Sequence, residues 1–300
     1  MIYKPEGSFF RTAENQKYIS SYEGLAEAME NGIILEARVA VCDSSHNLII
    51  DLPCGKGVIP RTEGAIGIED GSTRDIALIS RVNKIVCFKV TGIDGDNITL
   101  SRKSAQEECM ENYINKLSSG EIIDARITHL EQFGCFVDIG CGIPSLIPID
   151  AISVSRISHP SDRFRNGDFI HAVVKYREDD RIFLTHKELL GTWEQNAELF
   201  EAGETVSGIV RSVEDYGIFV ELTPNLAGLA EPRDDIKAGQ SVSVYVKAII
   251  PEKMKVKLII VDTCEDLPTA KPIQYYQESG KISRWCYSTD CSPKKIISEF

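Results

Sequence analysis

Short runs of β-branched and aromatic residues recur along this chain, each closed by Gly, Asp or Asn, and each reads as a strand. Between residues 120 and 190 they cover Ile122–Leu130, Cys135–Ile139, Ile143–Ile149, Phe169–Lys175 and Ile182–Thr185, with a loop carrying a helical turn over Ser153–Arg165. Gly140-Cys-Gly142 supplies the turn between the second and third runs. The period changes elsewhere. Residues 1–31 read as helical: Ser20-Ser-Tyr-Glu23 offers a capping box, Leu25 and Met29 share a face, and Gly32 is placed to end the helix. Residues 104–118, with Ala105, Met110, Ile114 and Leu117 among glutamates, predict a connecting helix. Residues 188–202 predict another, with Leu189, Leu190, Trp193, Ala197 and Phe200 on one stripe and Trp193 as a packing residue.

The strand pattern is written more than once. Gly120-Glu-Ile-Ile-Asp-Ala-Arg-Ile is answered by Gly203-Glu-Thr-Val-Ser-Gly-Ile-Val, and Phe133-Gly-Cys-Phe-Val-Asp-Ile-Gly140 by Tyr216-Gly-Ile-Phe-Val-Glu-Leu222. Arg181-Ile-Phe-Leu-Thr-His-Lys187 is answered by Lys255-Val-Lys-Leu-Ile-Ile260. A third, divergent copy opens at Gly32-Ile-Ile-Leu-Glu-Ala-Arg-Val and closes at Asn97-Ile-Thr-Leu-Ser-Arg-Lys103. Repetition at this scale fixes the folding unit. Five strands with the connector between the third and fourth predict an OB-type Greek-key barrel. The expected fold is therefore mainly β: three tandem five-stranded barrels joined by short helical linkers, after a helical N-terminal segment. The divisions are 1–31 (helical), 32–103 (divergent barrel), 104–118 (linker), 119–187 (barrel), 188–202 (linker), 203–262 (barrel) and 263–300 (tail).

No apolar run approaches the ~18 residues a bilayer span needs, and the first residues lack a secretory core, so a cytoplasmic location is expected. The nine cysteines are odd in number and form no CxxC, which reads as reduced thiols. Cys286 and Cys291 stand without a nearby His, so neither a metal nor any other cofactor is expected. No phosphate loop, HExxH or nucleophile elbow occurs, and the barrels and linkers fill nearly the whole chain, so it does not read as an enzyme and no small-molecule substrate is expected.

Net charge is −12, which argues against a polycation that grips nucleic acid by counterion release. It leaves stacking open, because rings need no positive charge. Phe133 and Phe136 flank Gly134, and Tyr216 and Phe219 flank Gly217. Strand parity sends residues three apart to opposite faces, so both rings share a face only if the glycine lets the chain bend. Two such rings would form a platform for unpaired bases. The alternative is that Phe136 and Phe219 are core. Cations able to meet phosphates are Arg163, Arg165, Lys175 and Arg181 in the second repeat, and Arg211, Lys247, Lys253 and Lys255 in the third. His129 is a candidate at the rim, and Lys281, Arg284, Trp285, Lys294 and Lys295 are candidates in the tail.

These motifs, together with Lys187-Glu-Leu-Leu-Gly-Thr-Trp193 ahead of Gly203-Glu, resemble the S1 RNA-binding domain family in its tandem form, that of small-subunit ribosomal protein S1. The resemblance is strong over 120–262 and weaker over 32–103. It implies a cytoplasmic, non-catalytic binder of single-stranded RNA, often mRNA, with the ribosomal small subunit as a further partner. The family's RNA-facing aromatics fall on Phe133, Phe136, Tyr216 and Phe219, and its last-strand cation on Arg181 and Lys255. The family's strand-3 His is replaced by Pro148 and Glu231. The first repeat carries Ser45-His46-Asn47-Leu48-Ile49 in place of the ring motif, which suits a structural or protein-contact module and leaves open that the whole array docks on the ribosome or an RNA-processing complex with little direct RNA binding.

Overall fold

A computed structural model of the chain describes residues 3–179, 181–264 and 273–300. They fall into two compact units, one made of the residues up to Leu117 with 124–126 and 138–144, the other of 118–123, 127–137 and 145 onward. Strands build three closed barrels of five strands each. No helix among the described residues is long and apolar enough to cross a membrane.

In the first unit the N-terminal helix is two helices, α1 (Ala13–Ile19) and α2 (Tyr22–Glu30). Ser21, one residue later than the sequence suggests, caps α2 by accepting from the Gly24 amide. Its buried face is Leu25 and Ala28, while Met29 is exposed. Gly32 follows in the left-handed region at φ 62°, the conformation a helix stop asks of glycine. Asn15 fixes α1 to the first barrel by bonding both ways with the Glu36 backbone, at 2.8 and 2.9 Å.

The barrel strands are β1 (Leu35–Cys42), β2 (Leu48–Leu52), β3 (Gly55–Ile59), β4 (Ile85–Asp94) and β5 (Asn97–Ser101), closed in the order β1-β2-β3-β5-β4. A short helix, α3 (Ile76–Ile79), lies in the loop after β3. Leu35, Val39, Leu48, Ile50, Ile59, Phe88, Ile98 and Leu100 fill the interior.

The connecting helix α4 runs Arg102–Asn112 and is followed by a 3-10 turn at Ile114–Lys116; of the expected line Ala105 and Ile114 are buried and Met110 and Leu117 half-buried, while Arg102, Gln106 and Cys109 are buried as well. Polar residues are tolerated inside because each has partners. Arg102 Nε donates to Glu6 at 2.7 Å, and Gln106 accepts from the Ile66 amide and donates to the Cys141 carbonyl.

The second barrel comprises β6 (Ile122–Glu131), β7 (Gly134–Asp138), β8 (Pro144–Pro148), β9 (Phe169–Glu178) and β10 (Arg181–Thr185). Each matches its predicted run to within a few residues. The expected helical turn is a short 3-10 stretch at Pro160–Asp162.

The linker at 188–202 is shorter than its periodicity implies. A 3-10 turn at Lys187–Leu190 stops at Gly191, where φ is 82°, and the helix proper, α5, spans only Trp193–Ala197. Trp193 is 2 % exposed and packs in one core with Leu189, Val210 and Trp285.

The third barrel follows: β11 (Thr205–Glu214), β12 (Gly217–Thr223), β13 (Leu226–Ala230), β14 (Ser241–Ile250) and β15 (Lys255–Thr263). The C-terminal segment forms a hairpin, β16 (Arg284–Cys286) with β17 (Ile297–Glu299), and buries Ile282, Trp285 and Tyr287 in the same core. Residues 265–272 of the expected tail lie outside the described residues.

Candidate nucleic-acid interface

The ring hairpins have the same geometry in the second and third barrels. Phe133 and Phe136 stand with centroids 6.0 Å apart and planes at 89°, and Tyr216 and Phe219 at 6.1 Å and 85°. Phe133 is 57 % and Tyr216 69 % exposed, while Phe136 and Phe219 are half-buried. The first ring of each pair sits in the turn just ahead of its strand, so pleat parity does not bind it. The second ring stands on the outer side of the strand between buried neighbours, Cys135 and Val137 in β7, Ile218 and Val220 in β12. Each pair is a right-angled corner, able to offer a ring face to each of two bases.

Glycine makes the corner possible through close approach. A Cβ on Gly134 would lie 2.4 Å from the Ile147 carbonyl oxygen, and one on Gly217 would lie 2.7 Å from that of Ala230. Both obstacles are backbone, so the hairpin itself would have to shift. Gly134→Ala and Gly217→Ala should each lower stability by about 1–3 kcal/mol. Urea unfolding midpoints that do not move would show that the hairpins have slack.

The ring on β12 begins a cross-strand row. Ser212 pairs with Phe219, Phe219 with Leu229, Leu229 with Lys257, and Lys257 with Ala248. In the second barrel Leu146 pairs with Phe183, and Phe183 with Tyr176. There His129 takes the place of Ser212, both being the eighth residue of a ten-residue strand. Its ring is exposed and meets Glu131 at 2.8 Å. The first barrel has Val41, Ile49, Val58, Thr99 and Gly92 in this row, without an aromatic ring. Lys257, Tyr176 and Phe183 escaped the sequence reading. Strand register was the signal that could have found them.

The candidate cations divide. Arg165, Arg181, Lys247, Lys253 and Lys255 are exposed, and Arg181 and Lys255 open the equivalent strands β10 and β15. Lys175 is half-buried, its Nζ 5.9 Å from the Tyr176 ring centroid. Arg163 must be removed from the set. Its side chain is 4 % exposed and donates to both Glu221 oxygens. Arg211 is also internal, donating to the same carboxylate at 2.8 and 3.0 Å and facing Asp162 at 3.5 Å. A buried guanidinium committed to a carboxylate is not available to a phosphate.

Glu221 follows Phe219 by two, as Asp138 follows Phe136. Both motif carboxylates point inward. Asp138, in the first unit, accepts from the amides of Gly140, Gly142 and Glu6 at 2.7–2.9 Å. Burial, with the Glu6 charge beside it, raises its carboxyl to about 7. Among the tail candidates, Trp285 is 7 % exposed and packed. Lys281 donates to Ser118, Arg284 faces Glu299, and Lys295 donates to the Thr289 carbonyl. Among the described residues no group of three or more His, Cys, Asp or Glu is placed to hold a metal ion.

The fold is thus a tandem array of three small closed barrels, two with a matching exposed corner of rings. Residues 116–187 match the model of the S1 RNA binding domain. The chain is similar to small ribosomal subunit protein bS1 of Staphylococcus aureus strain COL, 27 % identical over 289 residues covering 89 % of this chain and 71 % of that protein. It resembles the bS1 protein of Staphylococcus haemolyticus at 29 % over 276 residues, 84 % of this chain and 67 % of that one. Among solved structures, a multidomain protein with nucleic acid binding domains from Streptococcus pneumoniae matches at 15 % identity and a TM-score of 0.25, over 76 % of this chain and 73 % of that one.

Proposed function

We propose that this protein is a non-catalytic, cytoplasmic binder of single-stranded RNA that works in translation at the small ribosomal subunit, holding mRNA by stacking bases on the ring corners of its second and third barrels. The observation that carries this reading is the duplicated geometry: the same ring spacing, right angle and outward exposure at the same hairpin of two barrels. Core residues would not leave Phe133 and Tyr216 more than half exposed in both copies. The S1 RNA binding domain match at 116–187 and the bS1 relatives, named as ribosomal proteins, support it. The first barrel lacks the rings and exposes Val41, Ile76 and Ile79, which favours a protein-contact role for that barrel alone.

Stacking and phosphate binding differ in their response to salt. The second barrel carries 8 basic and 11 acidic residues over 119–190, the third 7 and 9 over 203–262. Acidic residues outnumber basic ones in both barrels, and Arg163 and Arg211 are internal. Fluorescence anisotropy with a labelled uridine-rich oligomer should show preference for single strand over its duplex, and a shallow dependence of affinity on salt. A log–log slope steeper than about −4, that of roughly six phosphate contacts on a single strand, would point to an electrostatic grip instead. Absence of binding would leave protein docking as the function.

A further inference from the structure

At the outer end of the cross-strand row the second barrel carries a pair of rings where the third has Lys257 and Ala248. Tyr176 on β9 and Phe183 on β10 are cross-strand partners, stacked with centroids 4.8 Å apart and planes 20° from parallel. Tyr176 is 44 % exposed and Phe183 half-buried, so the pair leaves its tyrosine open to solvent. Phe183 is registered with Leu146 on β8, the equivalent of Leu229, which in the third barrel is the direct neighbour of the ring-bearing Phe219. An outward row therefore runs from Phe136 through Leu146 and Phe183 to Tyr176. The third barrel has Lys257 and Ala248 at the last two positions, and the first has Thr99 and Gly92. Three strand spacings separate the ends of the row, about 14 Å. Lys175 stands beside the outer ring with its Nζ 5.9 Å from the centroid, where it can meet a phosphate.

We infer that Tyr176, backed by Phe183, is a further base-stacking position on the second barrel, taking an unpaired nucleobase of the same RNA strand beyond those at Phe133 and Phe136. This rests on the stacking function proposed above and assigns the second barrel a longer footprint than the third. Phe183 acts as a support, filling the inner face of Tyr176 so that only its outer face is available. A nucleic-acid strand is favoured as the occupant because the row continues from the ring corner, is flat and aromatic, and ends beside a cation.

The test uses the full chain and two labelled oligouridines of about 4 and about 12 nucleotides, bracketing most of the footprint range of such barrels. Tyr176→Ala should weaken binding of the longer oligomer at least about fivefold and leave the shorter one, which the ring corners alone can hold, within about twofold. Tyr176→Phe, which keeps the ring, should bind both as the wild type does. Equal affinities for wild type and Tyr176→Ala on both lengths, while Phe133→Ala/Phe136→Ala still weakens them, would overturn the added position and leave the proposed function standing. Equal loss on both lengths would also overturn it, placing Tyr176 within the first footprint. Wild-type protein that binds neither oligomer would remove the proposed function and this inference together.

Discussion

Replacing both rings of one corner should weaken RNA binding more than tenfold. In Phe133→Ala/Phe136→Ala and in Tyr216→Ala/Phe219→Ala two stacked bases lose their partners, at about 1–3 kcal/mol each, so about 2–6 kcal/mol per double variant. The outer rings are solvent-exposed in the free protein, and the inner ones are half-buried on the barrel surface. The variants should keep the wild-type circular dichroism spectrum. Because the two corners lie on one chain, an oligomer long enough to reach both would gain from linkage, and the four-ring variant should then lose more than either double variant. Anisotropy titrations at fixed salt measure this directly. A four-ring variant that is folded and binds as the wild type does would mean that the corners are not the RNA site.

Removing Glu221 should destabilise the second unit by about 3–5 kcal/mol, the usual cost of stranding a buried charge. Glu221 is the common acceptor for Arg163, from the loop before β9, and for Arg211 of β11, with side chains 5 %, 4 % and 9 % exposed. In Glu221→Leu the two guanidiniums would face each other in a dry site with only Asp162 and Ser153 nearby. Glu221→Gln keeps the shape and offers one neutral acceptor, so its loss should be smaller. Urea unfolding followed by tryptophan fluorescence is suited to this, since Trp193 and Trp285 both lie in the core of that unit. A shift below about 1 kcal/mol for Glu221→Leu would show that the arginines find water instead. RNA affinity of the folded variant should stay near wild type, because none of these groups lies on the ring row.

The barrels were legible because each is nearly self-contained. Alternation along short runs, glycine at the hairpins and the repeat of whole motifs gave strand limits close to those observed, as with β9 and β10. The ring corners were legible for the same reason: four consecutive residues specify a turn, a close approach and two aromatics. Helices were less so. The stripe at 188–202 is real as burial, but Gly191 breaks it into two turns. On α4 the buried face is set by Glu6 and Cys141, distant partners that make Arg102 and Gln106 acceptable inside.

The sequence by itself determined the number and kind of folding units and where two of them present their exposed rings, since those depend on periodicity and on local steric demands. Tertiary structure alone decided which charges face solvent and which surfaces join. Arg163 reads as a loop cation until a carboxylate 58 residues away closes over it. Tyr176 and Phe183 become a stacked pair only when β9 and β10 close side by side in the register that sets residues seven apart opposite each other. Ion pairing and cross-strand contact are properties of distance in space, and chain order constrains them only after the barrels have closed.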